Sequence, residues 1–493
     1  MRVAVWSIAD QLGVVARAPQ ELVAALGRDL RRSVIVLPDL HDGDVAELVL
    51  DLVKLPHVRL IVESRSDSPA HRLLSKSACA ELNLDLEQWR DERRFEMWQE
   101  ALPVGRDTAQ PGQVDTATGL DLSDPIAVCE ADPWVVTAAY DSAGDHEHGG
   151  LRAAWLRAGQ ALCREQRPVS RALTLLSVLG DSTDPRVALA LSEVAAGADW
   201  RVEWRRVRGD VVPAWPGPVE TLAVGRGPLS GSVLTVGANG VVKAVSLADA
   251  EAFGRLSPLR SRPVAMSVLP DGTVLVLARN GRVEAVSEWA TRSASSGLAM
   301  LLDDGPTDTQ RLLDSLRGHA GTALAHATGK DLGIVALGDS TGTVRLFGDV
   351  VASAGLHDGP VNALTAVALP LDGEVSAPLF YSGGTDGIVR AWSPGGAPMT
   401  APVLRRPCPV VSLDATVTKN GPAIVVAWGD GMVECIYWET GVQQTFRPGP
   451  PVRSVALDDD GRVLIGMDEA LTCLAPQQQS ADGDVVQQRM PVD

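Results

Sequence analysis

Tyrosine and histidine are the scarce residues of this chain, three and eight of them in 493. An active site that runs on imidazole or phenol groups has little to draw on. Cysteine is no better as a source of ligands. Cys79, Cys129, Cys163, Cys408, Cys435 and Cys473 are scattered with no CxxC spacing. That excludes a thiolate metal knuckle and a disulfide framework, and it predicts reduced, mostly buried thiols in a cytoplasmic protein. No apolar stretch approaches the roughly 20 residues of a membrane span. The opening MRVAVWSIADQLG reaches Asp10 too soon to be a signal peptide. Positive charge is short as well: 44 Lys and Arg face 62 Asp and Glu, a formal net charge of −18. Such a field argues against a general binder of nucleic acid or anionic membrane, and simple solubility accounts for it. Five of those 44 cations are lysine, a bias that, with abundant Ala and Gly, predicts a GC-rich bacterial genome.

What is present is repetition. Apolar residues at 45% and charged residues at 22% describe an ordinary globular protein, too long for one core, so two or three domains are expected. From Val219 to Pro476 one pattern returns six times. Each unit opens on a strand after Pro or Gly: 218–224, 263–269, 321–327, 360–367, 409–415 and 451–457. An apolar second strand follows in units such as 232–238, 273–279, 333–339 and 423–429. Then come an NG, TG or DG turn and a third strand, as in TGTVRLFGD (341–349) and DGMVECIYW (430–438). Those turn residues tolerate the positive φ of tight hairpins. Units are spaced 45, 58, 39, 49 and 42 residues apart, the period of a β-propeller with about four strands per blade. Six blades are expected, and the insert 289–317 leaves room for a seventh. The last unit lacks an outer strand, which WRVEWRRV (200–207) can supply and so close the ring. The polar stretch 477–493 reads as a disordered tail.

The fourth unit contains LFYSGGTDGIVRAW (379–392), with His357 in the loop ahead of it. Ser, then Asp-Gly, then Trp at the end of the third strand resembles a WD40 repeat. The resemblance implies a structural hydrogen-bond tetrad of His357, Ser382, Asp386 and Trp392, with the indole N–H directed inward. Such a tetrad holds a blade together and catalyses nothing. The third unit keeps Gly318-His319, but Phe347 stands in place of Trp and Thr341 in place of Asp. Read instead as a hydrolase triad, the same Ser, His and Asp lack a nucleophile elbow.

Residues 1–75 alternate helix and strand: a helix at 20–30, a buried strand at 33–42, a helix at 44–55 and a strand at 58–67. This β–α–β rhythm predicts a parallel sheet. The pattern resembles the rear half of a signal-transduction (STAND) P-loop NTPase. That resemblance implies a Mg²⁺-holding acidic region at Asp39 and Asp42 and a phosphate sensor at Arg65. No GxxxxGK[ST] occurs anywhere in the chain, and Pro38 interrupts the acidic strand. The phosphate cradle is therefore missing. A vestigial or half α/β module is expected, with no cofactor.

Residues 76–199 read as a mostly helical connector with a Pro- and Gly-rich loop at 103–124. In 86–102, Leu86, Trp89, Phe95 and Trp98 recur at helical spacing. Helices are expected at 151–166, 169–180 and 184–197. His146 and His148 beside Asp145 and Glu147 allow a metal site on paper, but a solvated Gly-flanked loop explains them better. Taken together, the chain reads as a non-catalytic scaffold or adaptor that binds protein partners through a propeller face, with no nucleic acid and no membrane span. The WD40 and STAND resemblances imply a bacterial multiprotein assembly or a signalling or conflict system. The alternative is a nucleotide-dependent switch whose phosphate loop a partner supplies. An enzyme working in the propeller channel would have to use His319, His326 and His357, and ranks last.

Overall fold

The computed structural model describes the chain apart from residues 30, 78, 85, 87–92, 94–119, 145, 147, 165–166, 213, 238–239, 257–258, 260, 287–306, 329–332, 371–375 and 478–493. The expectations placed on Trp89, Phe95, Trp98, the loop 103–119 and the tail 478–493 lie outside the described residues.

The N-terminal module runs α1 (Arg2–Leu12), α2 (Pro19–Arg28), β1 (Ser33–Leu37), α3 (Gly43–Leu52), β2 (Val58–Val62) and α4 (Pro69–Leu74). β1 and β2 pair in parallel from Ser33↔Val58 to Leu37↔Val62, as the β–α–β rhythm predicts. The expectation of a buried first strand is corrected. Ile35 alone is fully covered, while Val34, Val36 and Ile61 stay exposed. The reason is that helices cover one face of this two-stranded sheet, whereas parallel sheets ordinarily carry helices on both.

A helical layer follows: α5 (Pro125–Glu130), α6 (Pro133–Ser142), α7 (Leu151–Ala158), α8 (Gln160–Arg164), α9 (Pro168–Ser177) and α10 (Pro185–Val194). Asp124, Asp132 and Asp184 cap three of these helices through their side chains, each with Pro at the first turn. The helix expected over 151–166 breaks at Gly159. There the Trp6 ring sits where a Cβ would stand, so no larger residue fits.

Six sheets complete the chain. Blade 1 comprises Thr221–Val224, Ser232–Val236, Val242–Ser246 and Ala252–Arg255; blade 3 comprises Ala323–Ala327, Ile334–Gly338, Thr343–Gly348 and Ala352–Gly355. Blade 4 comprises Val361–Pro370, Ser376–Gly384, Ile388–Trp392 and Leu404–Arg405; blade 5 comprises Val410–Thr418, Gly421–Trp428, Val433–Tyr437 and Val442–Phe446. Blade 2 shows three strands among the described residues, Pro263–Val268, Val274–Ala278 and Val283–Val286. The inner strands contact one another in ring order and the sixth returns to the first, so the ring closes at six and the option of a seventh blade falls. Part of the insert that left that option open is the helix α11 (Asp308–Leu316). Its Leu312 and Leu316 pack with Leu275, Leu277 and Phe347 between blades 2 and 3.

Closure is by strand exchange between the two ends of the domain. Val452–Leu457, Val463–Met467 and Ala470–Pro476 form three strands of blade 6, and β3 (Trp200–Val207) is the fourth, paired antiparallel from Ala470↔Val207 to Pro476↔Trp200. Trp204 of β3 is buried and donates its indole N–H to the Leu247 carbonyl of blade 1 at 2.8 Å. One hydrophobic core runs from Tyr140, Trp155 and Leu175 of the helical layer into Val425, Phe446 and Ile465 of blades 5 and 6. Removing the latch ring is expected to be costly: Trp204→Ala should destabilise the fold by about 3–5 kcal/mol, read as a lowered urea midpoint against Trp204→Phe.

Candidate functional site

Strands alternate in direction within a blade, so the first-to-second and third-to-fourth connections lie on one face of the ring. The second-to-third turns and the links between blades lie on the other. All the contacts below between the N-terminal region and blade turns fall on that second face.

Blade 4 brings three of the four expected residues together. His357, its side chain fully buried, places Nδ1 3.1 Å from Asp386 Oδ1 and Nε2 2.8 Å from Ser382 Oγ. A carboxylate only accepts, so Nδ1 carries the proton and Nε2 accepts from the serine hydroxyl. Burial lowers the His357 pKa despite the Asp386 charge, which keeps the ring in this neutral form. Trp392 does not join them. Its indole N–H donates to the Gly396 carbonyl at 2.9 Å, and the ring packs with Phe380 and Leu364. In blade 3, His319 is exposed and lies against the Phe347 ring, 4.9 Å between centroids.

Blade 5 rebuilds the same place with other chemistry, which the sequence reading missed. The pairings Ala363↔Gly383, Ser412↔Ala427 and Ser454↔Gly466 put Asp386, Asp430 and Glu469 at equivalent turn positions of blades 4, 5 and 6. Arg406 stands four residues before Val410, as His357 stands four before Val361. It bonds Asp430 Oδ2 at 2.8 Å and lies over the Trp428 ring, 5.7 Å from its centroid. Arg447 reaches the same oxygen at 2.9 Å, and Arg164 of α8 donates to the Asp430 carbonyl at 3.0 Å. Burial alone would push the Asp430 carboxyl up, but Arg447 and Arg406 hold it below the usual range. In blade 6, Glu469 takes Arg17 at 2.5 Å. Arg31 adds a bond to the Pro407 carbonyl at 2.7 Å. The buried Gln160 amide stitches α8 to the loop after α1, accepting from Ala16 N at 3.0 Å and donating to Val14 O at 2.8 Å.

The inner strands line a channel of about 160 Å³. Its wall is sewn by side chains across the blades. Asp414 accepts from Thr365 Oγ1, Ala415 N and Leu457 N, each at 2.9 Å, so it joins blades 4, 5 and 6. Desolvation raises its pKa. Ser454 Oγ accepts from Leu222 N at 2.9 Å, and Ser412 Oγ from Val455 N at 3.1 Å. Arg226 and His326 also line the channel.

Asp39, Asp42 and Arg65 all follow the carboxyl ends of the paired strands β1 and β2, so the sheet carries them to one end of the module. Their local roles are ordinary. Asp39 is exposed, at φ 53°, and pairs with His41 at 2.7 Å. Asp42 caps α3 by accepting from Asp44 N at 2.8 Å. Arg65 is exposed, and its carbonyl accepts from Ser68 N. His148 Nδ1 meets Ser123 Oγ at 3.2 Å, and its ring meets Tyr140 edge-on; Asp145 and Glu147 lie outside the described residues.

No family model matches the chain, and none of the curated proteins does. Among solved structures, the computationally designed Ika8 protein is similar over 52% of this chain and 70% of its own, at 18% identity and a TM-score of 0.30. Among the described residues no helix is long and apolar enough to cross a membrane.

Two outcomes follow. Trp392→Ala should cost roughly 3–5 kcal/mol of stability with no selective loss of any binding partner; a variant that melts normally yet loses one partner would make Trp392 a contact residue instead. Desolvation pushes the His326 pKa down to about 4, with Arg226 adding to the shift and Asp271 opposing it. Below the ordinary value of about 6.5 the unfolded chain takes up a proton that the folded chain refuses. Stability should therefore be complete above that pH and fall between pH 6.5 and 4, by on the order of 3 kcal/mol in total. His326→Gln should flatten this part of the profile, measured as urea midpoints at pH 7.5, 5 and 4.

Proposed function

We propose that the protein is a non-catalytic scaffold that binds a protein partner on the propeller face turned away from its N-terminal region. The observation behind this reading is how the two faces are used. The N-terminal region and the helical layer engage the turn and inter-blade positions Asp430, Glu469 and Pro407. The opposite face presents an apolar residue from the third-to-fourth connection of three successive blades: Val351 at 81% exposure, Met399 at 53% and Trp438 at 40%. Aromatic residues and methionine are enriched in protein contacts, and a rigid scaffold that displays them loses little entropy on binding. Asp386 of blade 4 and Asp414 of the channel wall are occupied in structural hydrogen bonds, which fits a binding role rather than chemistry. A bacterial assembly or signalling setting is part of the same proposal and rests on the WD40-like fourth blade.

The test is capture from native lysate by the tagged full-length protein, beside a Val351→Asp/Met399→Asp double variant, with partners identified by mass spectrometry. The expected result is a stoichiometric partner that the double variant loses at an unchanged melting temperature. A partner retained by the variant moves the contact to the other face. No stoichiometric partner for either protein removes the scaffold reading.

A further inference from the structure

A crevice lies between the helical layer and blade 5. It encloses about 40 Å³, room for more than one water-sized atom. One wall is the start of α9, a ten-residue helix preceded by Arg167, whose side chain does not cap it. Pro168 has no N–H to offer. Val169 and Ser170 both line the space. An uncapped helix start presents backbone donors and the positive end of the helix dipole.

A second, independent feature points the same way. Trp200 lines the crevice, is 3% exposed, and its Nε1 has no hydrogen-bond partner among the described residues. A buried indole N–H normally finds an acceptor. Thr174, also on the wall, already donates its hydroxyl to the Arg447 carbonyl at 2.9 Å. Leu173 and Phe446 supply apolar lining, which strengthens any charge interaction inside. Among the described lining residues Asp199 is the single acid, and the guanidinium of Arg447 is turned to Asp430.

We propose that this crevice is an oxyanion site. It takes a carboxylate or phosphate group against the α9 N-terminus, with the Trp200 indole N–H and the Ser170 hydroxyl as side-chain donors. One wall belongs to the helical layer and the other to blade 5, so a bound anion ties the two together.

Indole N–H resonances of the ¹⁵N-labelled full-length protein test this, the Trp200 signal being assigned with Trp200→Phe. Sodium phosphate and sodium acetate are titrated separately, each against sodium chloride at matched ionic strength. The expected result is a saturable shift of the Trp200 resonance, larger than that of any of the other tryptophans. Ser170→Glu, which tethers a carboxylate in the space, should abolish it. A response to phosphate alone makes it a phosphate site, and a response to acetate makes it a carboxylate site. A Trp200 resonance that moves no more than in chloride overturns the proposal, as does a titration unchanged in Ser170→Glu. Should that variant fail to fold, thermal melts decide: phosphate or acetate should raise the melting temperature of the parent chain and not of Trp200→Phe, and equal shifts in both would overturn the site.

Discussion

The pairing of Trp200–Val207 with Ala470–Pro476 is the constraint on which the rest of the molecule depends. Until that pairing forms, Trp200–Val207 and Ala470–Pro476 each present an unpaired ladder, and forming it covers both at once. The first of these strands is also the direct continuation of the helical layer. The same residues that shut the ring therefore fix that layer against blades 5 and 6. The shared hydrophobic core running from Tyr140 to Ile465 follows from this, because a layer held there has nowhere else to bury its apolar stripe. The α/β module, connected in turn through Gln160 to Val14 and through Arg164 to the Asp10 carbonyl, inherits its position from the same latch.

Within that frame one turn position does three jobs. In blade 4 its acid, Asp386, steadies a neutral histidine. In blade 5 Asp430 gathers arginines from its own blade, from the preceding inter-blade link and from α8. In blade 6 Glu469 receives Arg17 from across the chain. Backbone geometry keeps the carboxylate in place, while the partner changes with what lies above it. An isolated surface pair contributes little. Asp430 differs, since its side chain is 9% exposed and flanked by more cations than it can neutralise. Arg164 there is held down to about 10, first by burial and then by Arg447.

The propeller was legible because its cause is local. Apolar runs and Gly-bearing turns recur in the same order six times, and the half-exposed alternation of WRVEWRRV marked it as a strand in want of a neighbour. The grouping of His357, Ser382 and Asp386 was legible for a similar reason, as spacing along adjacent strands sets it. Trp392 was not, because a carbonyl only four residues on, that of Gly396, captured its N–H, and loop geometry of that kind leaves no periodic trace. Arg406 and Asp430 went unseen since the familiar pattern asks for histidine there, although an arginine four residues ahead of an inner strand was a signal that could have been read. The partners of Glu469 and the crevice beside Trp200 arise from contacts between distant segments, which no window of sequence contains. The exposed side of β1 was misread because an apolar run looks the same whether one face or both are covered.

Arg17 and Glu469 stand 452 residues apart in the chain. On a ribosome working at 5–20 residues per second the first waits roughly 20–90 s for the second. For that interval Arg17 is in solution with the surface it ends against not yet made, and the inner strands of the early blades stand beside an open edge. Pro407, where Arg31 ends, emerges before blade 5, while Glu469 and the strand Ala470–Pro476 come last of the described contacts and complete the rest. Birth order thus makes blade 6 the timing element of assembly, and a product stalled before Glu469 retains an unpaired β3 and an Arg17 without its partner in blade 6.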